Sequence, residues 1–225
     1  MTSTDPPPPA KNPGDGWRIL IAGTGGQGVL TAARLLCEFF IAAGREVVSG
    51  QLHGMAQRGG SVQSTVMIDC GIGPAMPEGR ADVVLGFEPV ETVRALRYLS
   101  SSTQVYMNTT PVIPFTLAQS AIRPTHDGHY PDIDKLIAAV RTVTSHVFAF
   151  DATRRARQAG SAACLNMAML GSALGSGGLP CTASEFWKVV APRLPARSAE
   201  TNVRAFEAGV EAGRAFHVGE ARPCN

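Results

Sequence analysis

The chain has 225 residues, 44% of them hydrophobic and 17% charged, with twenty basic against eighteen acidic side chains and a formal net charge of +2. That length makes one domain with a sizeable core, and so small a net charge excludes nucleic acid or a membrane surface as a main partner. The cysteines Cys37, Cys70, Cys164, Cys181 and Cys224 are scattered, with no two of them separated by two residues, which excludes a zinc knuckle or an iron–sulfur cluster motif. The expectation is a soluble, cytoplasmic protein with no metal site of its own.

Residues 1–15 are rich in Pro, Gly and polar groups and are predicted to be a disordered tail. The run Trp17 to Gly23 reads as a short buried strand, followed by a glycine loop and a helix to Ala43, closed by Gly44. Val29 to Ala43, the most apolar window, is too short to span a membrane and carries Arg34 and Glu38. Glu46 to Ser49 is a second strand, Gln51 to Gly60 a loop, and Ser61 to Ile68 a partly exposed strand. Ala81 to Phe87 is a buried strand and Pro89 to Leu99 a helix with proline in its first turn. Gln104 to Met107 is a strand. Thr110 to Tyr130 holds three prolines and reads as irregular. Asp132 to Thr142 is a helix, His146 to Phe150 a strand, and Asp151 caps a helix through Gln158. Cys164 to Leu174 is a helix of small residues; Thr182 to Val190 and Ser198 to Phe216 are helices, the last amphipathic with Val203, Phe206, Val210 and Phe216 on its apolar stripe. Parallel strands need crossovers, and strands alternate with helices over 17–175. The predicted class is therefore α/β: a three-layer, Rossmann-like, mostly parallel sheet with helices on both faces and a C-terminal helical extension. It forms a single domain over 16–217, with a short tail at 218–225.

Gly23-Thr24-Gly25-Gly26-Gln27-Gly28 leaves a strand and opens a helix, and glycines 23, 25 and 28 fit G-x-G-x-x-G. Without Cβ atoms an anion can approach the free N–H groups of the helix start, so the loop reads as a phosphate or dinucleotide cradle. A tight turn needing positive φ is the competing account. A nicotinamide site would also need an acid at the end of the second strand; that end reads Val47-Val48-Ser49-Gly50. No Lys-Ser/Thr follows the glycines, which excludes a Walker A loop.

The segment His53-Gly54-Met55-Ala56-Gln57-Arg58-Gly59-Gly60 gathers an imidazole, an amide and a guanidinium between glycines. Such a set binds a carboxylate or phosphate, or polarises a carbonyl. His53, Gln57 and Arg58 are the candidate catalytic residues; glycines 23, 25, 26, 28, 59 and 60 with Thr24, Gln27 and Asn108 are the candidate cofactor contacts. Glu88 and Glu91 follow a strand and read as facing the same cleft, and Glu88 reads equally as serving the positive start of its helix. Asn166 reads as a buried polar contact between packed elements. His126 and His129, with Asp127, define no closed ligand set, and Arg154, Arg155 and Arg157 read as a solvated helix face.

GTGGQGVLTAARLL, followed about two dozen residues later by HGMAQRGGSVQSTV, resembles the gamma-type domain of thiamine-dependent 2-oxoacid:ferredoxin oxidoreductases. MPEGRADVVLGFEPVETVRALRYL and the tail, LNMAMLGSALGSGGLP then SAETNVRAFEAGVEAG, resemble it too, so the likeness covers residues 17–216. It is most similar to the small beta subunit of the indolepyruvate type. The chain departs from that pattern at Gln51, where the family has an acidic residue, at Met67, where it has Arg, and at Arg154-Arg155, where it is more apolar. The resemblance implies oxidative decarboxylation of a 2-oxoacid, an arylpyruvate by preference, to an acyl-CoA, with coenzyme A as cosubstrate and electrons passed to ferredoxin. It also implies a larger alpha subunit holding thiamine diphosphate and [4Fe-4S] clusters. Gly14-Asp15-Gly16 is not followed by the paired Asn that a thiamine site of this family carries. Two other classes stay open: a stand-alone nucleotide-binding Rossmann protein, and an architectural subunit that touches no ligand.

Overall fold

A computed structural model describes residues 15–53, 60–71, 73–112 and 130–220. The apolar run WRILIAGT forms β1 (Trp17–Thr24), buried on both faces as a central strand must be. Parallel to it lie β4 (Val83–Gly86), β5 (Gln104–Asn108) and β6 (Val147–Phe150). On the other side of β1 a hairpin of β2 (Val47–His53) and β3 (Ser61–Ile68) completes a six-stranded sheet in the order β2-β3-β1-β4-β5-β6. β3 runs antiparallel to both of its neighbours, so that β2 and β1 point the same way without touching.

Two expectations shift here. β3 was expected to be partly exposed, yet it is an interior strand and only its first and third residues are less than buried. β2 was expected to end at Ser49, with Gln51 opening a loop. The ladder with β3 carries it on through Gln51, opposite Ser64, to His53, opposite Val62. Pairing across the sheet overrides the local turn signal of Gly50.

The helices are α1 (Val29–Ala42), α2 (Pro89–Arg94), α3 (Ile133–Arg141), α4 (Ala152–Gln158), α5 (Leu165–Gly175), α6 (Ala183–Val190) and α7 (Ala199–Glu220). One face of the sheet, with Ile19, Ile21, Val66 and Leu85, packs against α1, α4, α5, α6 and α7. The other, with Leu20, Ala22, Met67, Val84 and Met107, packs against α2, α3 and a 3-10 turn at 96–98. Helices thus cover both faces, as the alternation predicts, but unevenly. α5 is buried along its whole length and lies on α7 through glycines. A Cβ on Gly171 or Gly175 would sit 2.3 Å from the Phe206 carbonyl oxygen or 2.2 Å from that of Val210. A Cβ on Gly209 or Gly213 would be as close to the Ala168 or Ser172 oxygen. α7 continues to Glu220, into the stretch expected to lie beyond it. Phe206 and Val210 of its predicted stripe are core residues, and Phe216 packs on Phe148 and Phe150.

Candidate functional site

The parallel strands all end at one edge of the sheet. There Thr24, Gly86 and Asn108 close β1, β4 and β5, and Gly60-Ser61 arrives at the same edge because β3 starts where β1 stops. Ligands of open α/β sheets gather at this carboxyl edge. The Gly25 N–H donates to the Gly60 carbonyl oxygen at 3.0 Å, so the glycine loop and the end of the His53–Gly60 segment are bonded to each other. Gln27 holds the loop in shape. Its Oε1 accepts from the Thr24 N–H at 2.8 Å, its Nε2 donates to the Phe87 carbonyl oxygen at 3.0 Å, and its own N–H donates to the Thr24 carbonyl oxygen at 3.2 Å.

α1 then begins at Gly28, which has a left-handed φ of 85° and no side chain to cap the helix, and its first turn holds no acidic residue. The positive end of the helix dipole is therefore left without a local counter-charge. By contrast α2, α3, α4 and α6 start under the side chains of Glu88, Asp132, Asp151 and Thr182. Asn166, in the first turn of α5, lies against Gly28: a Cβ there would be 3.3 Å from its Cγ and 3.5 Å from its Nδ2.

On the α2 side of the same edge sits a buried acidic corner. Glu88 is 2% exposed and caps α2, its Oε2 accepting from the Glu91 N–H at 2.9 Å. Its Oε1 accepts from the Tyr130 hydroxyl and from the Val112 N–H at 3.4 Å. Burial, and then the hydrogen bond to Glu88, push the Tyr130 phenol well above its ordinary value. Glu91, 4% exposed, accepts from Ser61 Oγ at 2.6 Å and pairs with Arg94 at 2.7 Å. Glu88 thus serves the start of its helix, at the edge where the parallel strands end. Thr24, directly opposite Ser61, is 4% exposed and its Oγ1 has no hydrogen-bond partner among the described residues.

Asn108 is fully buried. Its Nδ2 donates to the Phe87 carbonyl at 2.9 Å and to Thr153 Oγ1 at 3.0 Å, and its Oδ1 accepts from the Ala152 N–H at 3.1 Å. The amide ties β4, β5 and the start of α4 together, which makes it a positioning residue. Of the arginines on α4, Arg154 is exposed, 4.0 Å from Asp151, and Arg155 donates to the Ala208 carbonyl. Met67, at the departure from the family pattern, is a core residue on the sheet face that α2 and α3 cover.

Gln57, Arg58 and Gly59 lie outside the described residues, as do His126, Asp127, His129 and Cys224. His53 closes β2 with its backbone in register with Val62. The structure therefore brings together Gly23 to Gly28, Gly60 and Asn108 and sets His53 on the hairpin beside them. Asn166 and Tyr130 were not read as site residues from the sequence. The usable signal for Asn166 was a lone carboxamide in a helix otherwise built of apolar and small residues; nothing local marks Tyr130. Among the described residues no group of three or more His, Cys, Asp and Glu is placed to hold a metal ion, and no helix is long and apolar enough to cross a membrane. What the edge can do is hold an anion at α1 with backbone N–H groups.

The model of one protein family, pyruvate ferredoxin/flavodoxin oxidoreductase, matches residues 18–212. The chain is 36% identical over 193 residues to the indolepyruvate oxidoreductase subunit IorB of Methanothermobacter thermautotrophicus, covering 86% of this chain and 95% of that one. Among solved structures it is similar to the gamma subunit of a keto/oxoacid ferredoxin oxidoreductase from Geobacter sulfurreducens, with a TM-score of 0.62, 22% identity, and 88% and 99% of the two chains covered. It is also similar to part of the 2-oxoglutarate:ferredoxin oxidoreductase of Magnetococcus marinus solved with 2-oxoglutarate, coenzyme A and succinyl-CoA bound. There the TM-score is 0.63 at 17% identity, over 89% of this chain and 31% of that one.

Proposed function

The chain belongs to the pyruvate ferredoxin/flavodoxin oxidoreductase family, and on that premise we propose that its carboxyl edge is the part of a two-subunit active site that holds the anionic end of a ligand. It is the small subunit of a 2-oxoacid:ferredoxin oxidoreductase, and the relatives named for indolepyruvate support an arylpyruvate as the substrate. The complex works in the cytoplasm. It converts the 2-oxoacid and coenzyme A to acyl-CoA and carbon dioxide, with two electrons passing to ferredoxin. Thiamine diphosphate held by the partner would supply the electron sink for decarboxylation, and [4Fe-4S] clusters would supply one-electron transfer. We assign both groups to a larger alpha subunit; among the described residues of this chain no three or more His, Cys, Asp and Glu are placed together to hold a metal ion.

The observation that carries the reading is the hydrogen bond from Gly25 to Gly60. It sets the uncapped start of α1 beside the end of the His53–Gly60 segment, so that one anion can meet both. Gly23 to Gly28 shape the cradle, with the N–H groups at the start of α1 donating to a phosphate of coenzyme A or of the partner's cofactor. Gly59 and Gly60 let the backbone of the second loop come close. Arg58 pairs with the anion, and His53 and Gln57 orient the reacting group and close the site. Asn108 holds β4, β5 and α4 in place behind it.

Arg58→Ala in the reconstituted complex tests this. Loss of one charge-assisted contact is expected to cut turnover about tenfold or more while the two subunits still co-purify. If the complex fails to assemble instead, the segment is an interface element and the site assignment falls.

A further inference from the structure

Two sets of hydrogen-bonding groups beside Gly28 have no partner within the described chain. The first is the start of α1, where Gly28 offers no side chain to accept from the first N–H groups. The second is Asn166, 7% exposed, whose carboxamide makes no hydrogen bond among the described residues. Neither of its amide atoms is among the enclosed unpaired ones, so in this otherwise buried residue the carboxamide is the part that reaches open space. Asn166 is held there firmly, because it sits on the buried helix α5. Its Nδ2 lies 3.5 Å from where a Gly28 Cβ would stand, so the amide borders the space over the first turn of α1. With no acidic residue in that turn, the missing component is an acceptor with several oxygens.

We propose that Asn166 is a ligand-contacting residue of this site, its Nδ2 donating to an oxygen of a phosphate held at the start of α1. This rests on the glycine loop being the anion-binding loop. It adds to that reading a side chain from a distant helix, and it fixes the ligand class as a phosphate ester or diphosphate. Coenzyme A and thiamine diphosphate share that chemistry, and separate titrations tell them apart.

The test uses the purified anaerobic complex with Asn166→Asp, which replaces the donor by an acceptor of the same shape, and Asn166→Ala. Desulfo-CoA and thiamine diphosphate are each titrated by calorimetry, and KM is measured for coenzyme A and for the 2-oxoacid. Asn166→Asp is expected to weaken one of the two phosphate ligands about tenfold. The KM for the 2-oxoacid and the melting temperature are expected to stay as in the wild type, with Asn166→Ala showing a smaller loss for the same ligand. If neither ligand is weakened, or if every constant worsens together with a fall in melting temperature, Asn166 is structural and the proposal is wrong. Gly26→Asp, read against the equally strained but uncharged Gly26→Ala, separates this from the loop reading, since the Cβ position of Gly26 is open while its φ of 98° strains both side chains alike. Weakening by Gly26→Asp but not by Asn166→Asp overturns the role of Asn166 alone; no weakening by either overturns both.

Discussion

Glycine is concentrated in two regions of this molecule, and it does opposite things in them. Between α5 and α7 each glycine is a missing side chain filled by the neighbouring helix's backbone, with carbonyl oxygens 2.1–2.3 Å from where a Cβ would be. In the loop before α1, Gly26 and Gly28 are needed for their positive φ, and the space beside Gly26 is open. The first region removes space and is pure packing. The second serves a left-handed turn and, at Gly26, leaves the space beside the loop open. The two are joined through α5, whose glycines lock it to α7 while its first turn sets Asn166 against Gly28.

The sharpest way to break that comparison is to add one methyl group in each region. Gly175→Ala drives a Cβ into the Val210 backbone, where neither helix can yield. It is expected to cost about 3 kcal/mol or more and to lower Tm by roughly 6–12 °C, read by thermal unfolding. Gly28→Ala is expected to lose about 1–2 kcal/mol from the left-handed backbone and to press on the Asn166 side chain 3.2 Å away, yet to reduce kcat/KM for coenzyme A about tenfold. Equal losses of stability with no loss of turnover would erase the distinction between the regions.

Thr24→Val sharpens it further. The buried Oγ1 has no partner among the described residues, so its replacement by a methyl group is expected to stabilise the isolated chain by about 1 kcal/mol. A simultaneous fall in activity of the complex would show that the hydroxyl is met by a ligand or by the partner subunit. Smallest of all is Thr182→Ala, far from the site, which removes the reciprocal cap of α6 and is expected to cost about 1 kcal/mol at neutral pH. The Thr182 backbone and hydroxyl hydrogen bonds hold the Glu185 carboxyl below its ordinary value of 4.5. That contribution is present above 4.5 and lost as the pH falls through the lowered value. The cost of Thr182→Ala should therefore shrink in acid, and urea titrations at neutral pH and near pH 3 compare the two.

Much of the fold could be read from local signals. The apolar run of β1, the glycine loop behind it, Asp151 and Thr182 as caps, and the small-residue character of α5 all announce their elements. The order β2-β3-β1 could not be read, because it depends on which strand pairs with which across the sheet, and the extension of β2 to His53 follows from that pairing alone. At the site, the glycine loop and the His53–Gly60 segment are visible as composition. Their meeting is not, since it rests on Gly25 bonding to Gly60 across 35 residues of chain.

By itself the sequence determined the alternation of strands and helices, the α/β class, the positions of the caps and the family motifs, because each of these is a property of neighbouring residues. Only the tertiary structure decided that Asn108 holds three elements together, that Glu88 reaches both Val112 and Tyr130, and that the Asn166 side chain lies against Gly28. A polar side chain's hydrogen-bond partners are set by which distant backbones the core brings within about 3 Å, and no local pattern encodes that distance.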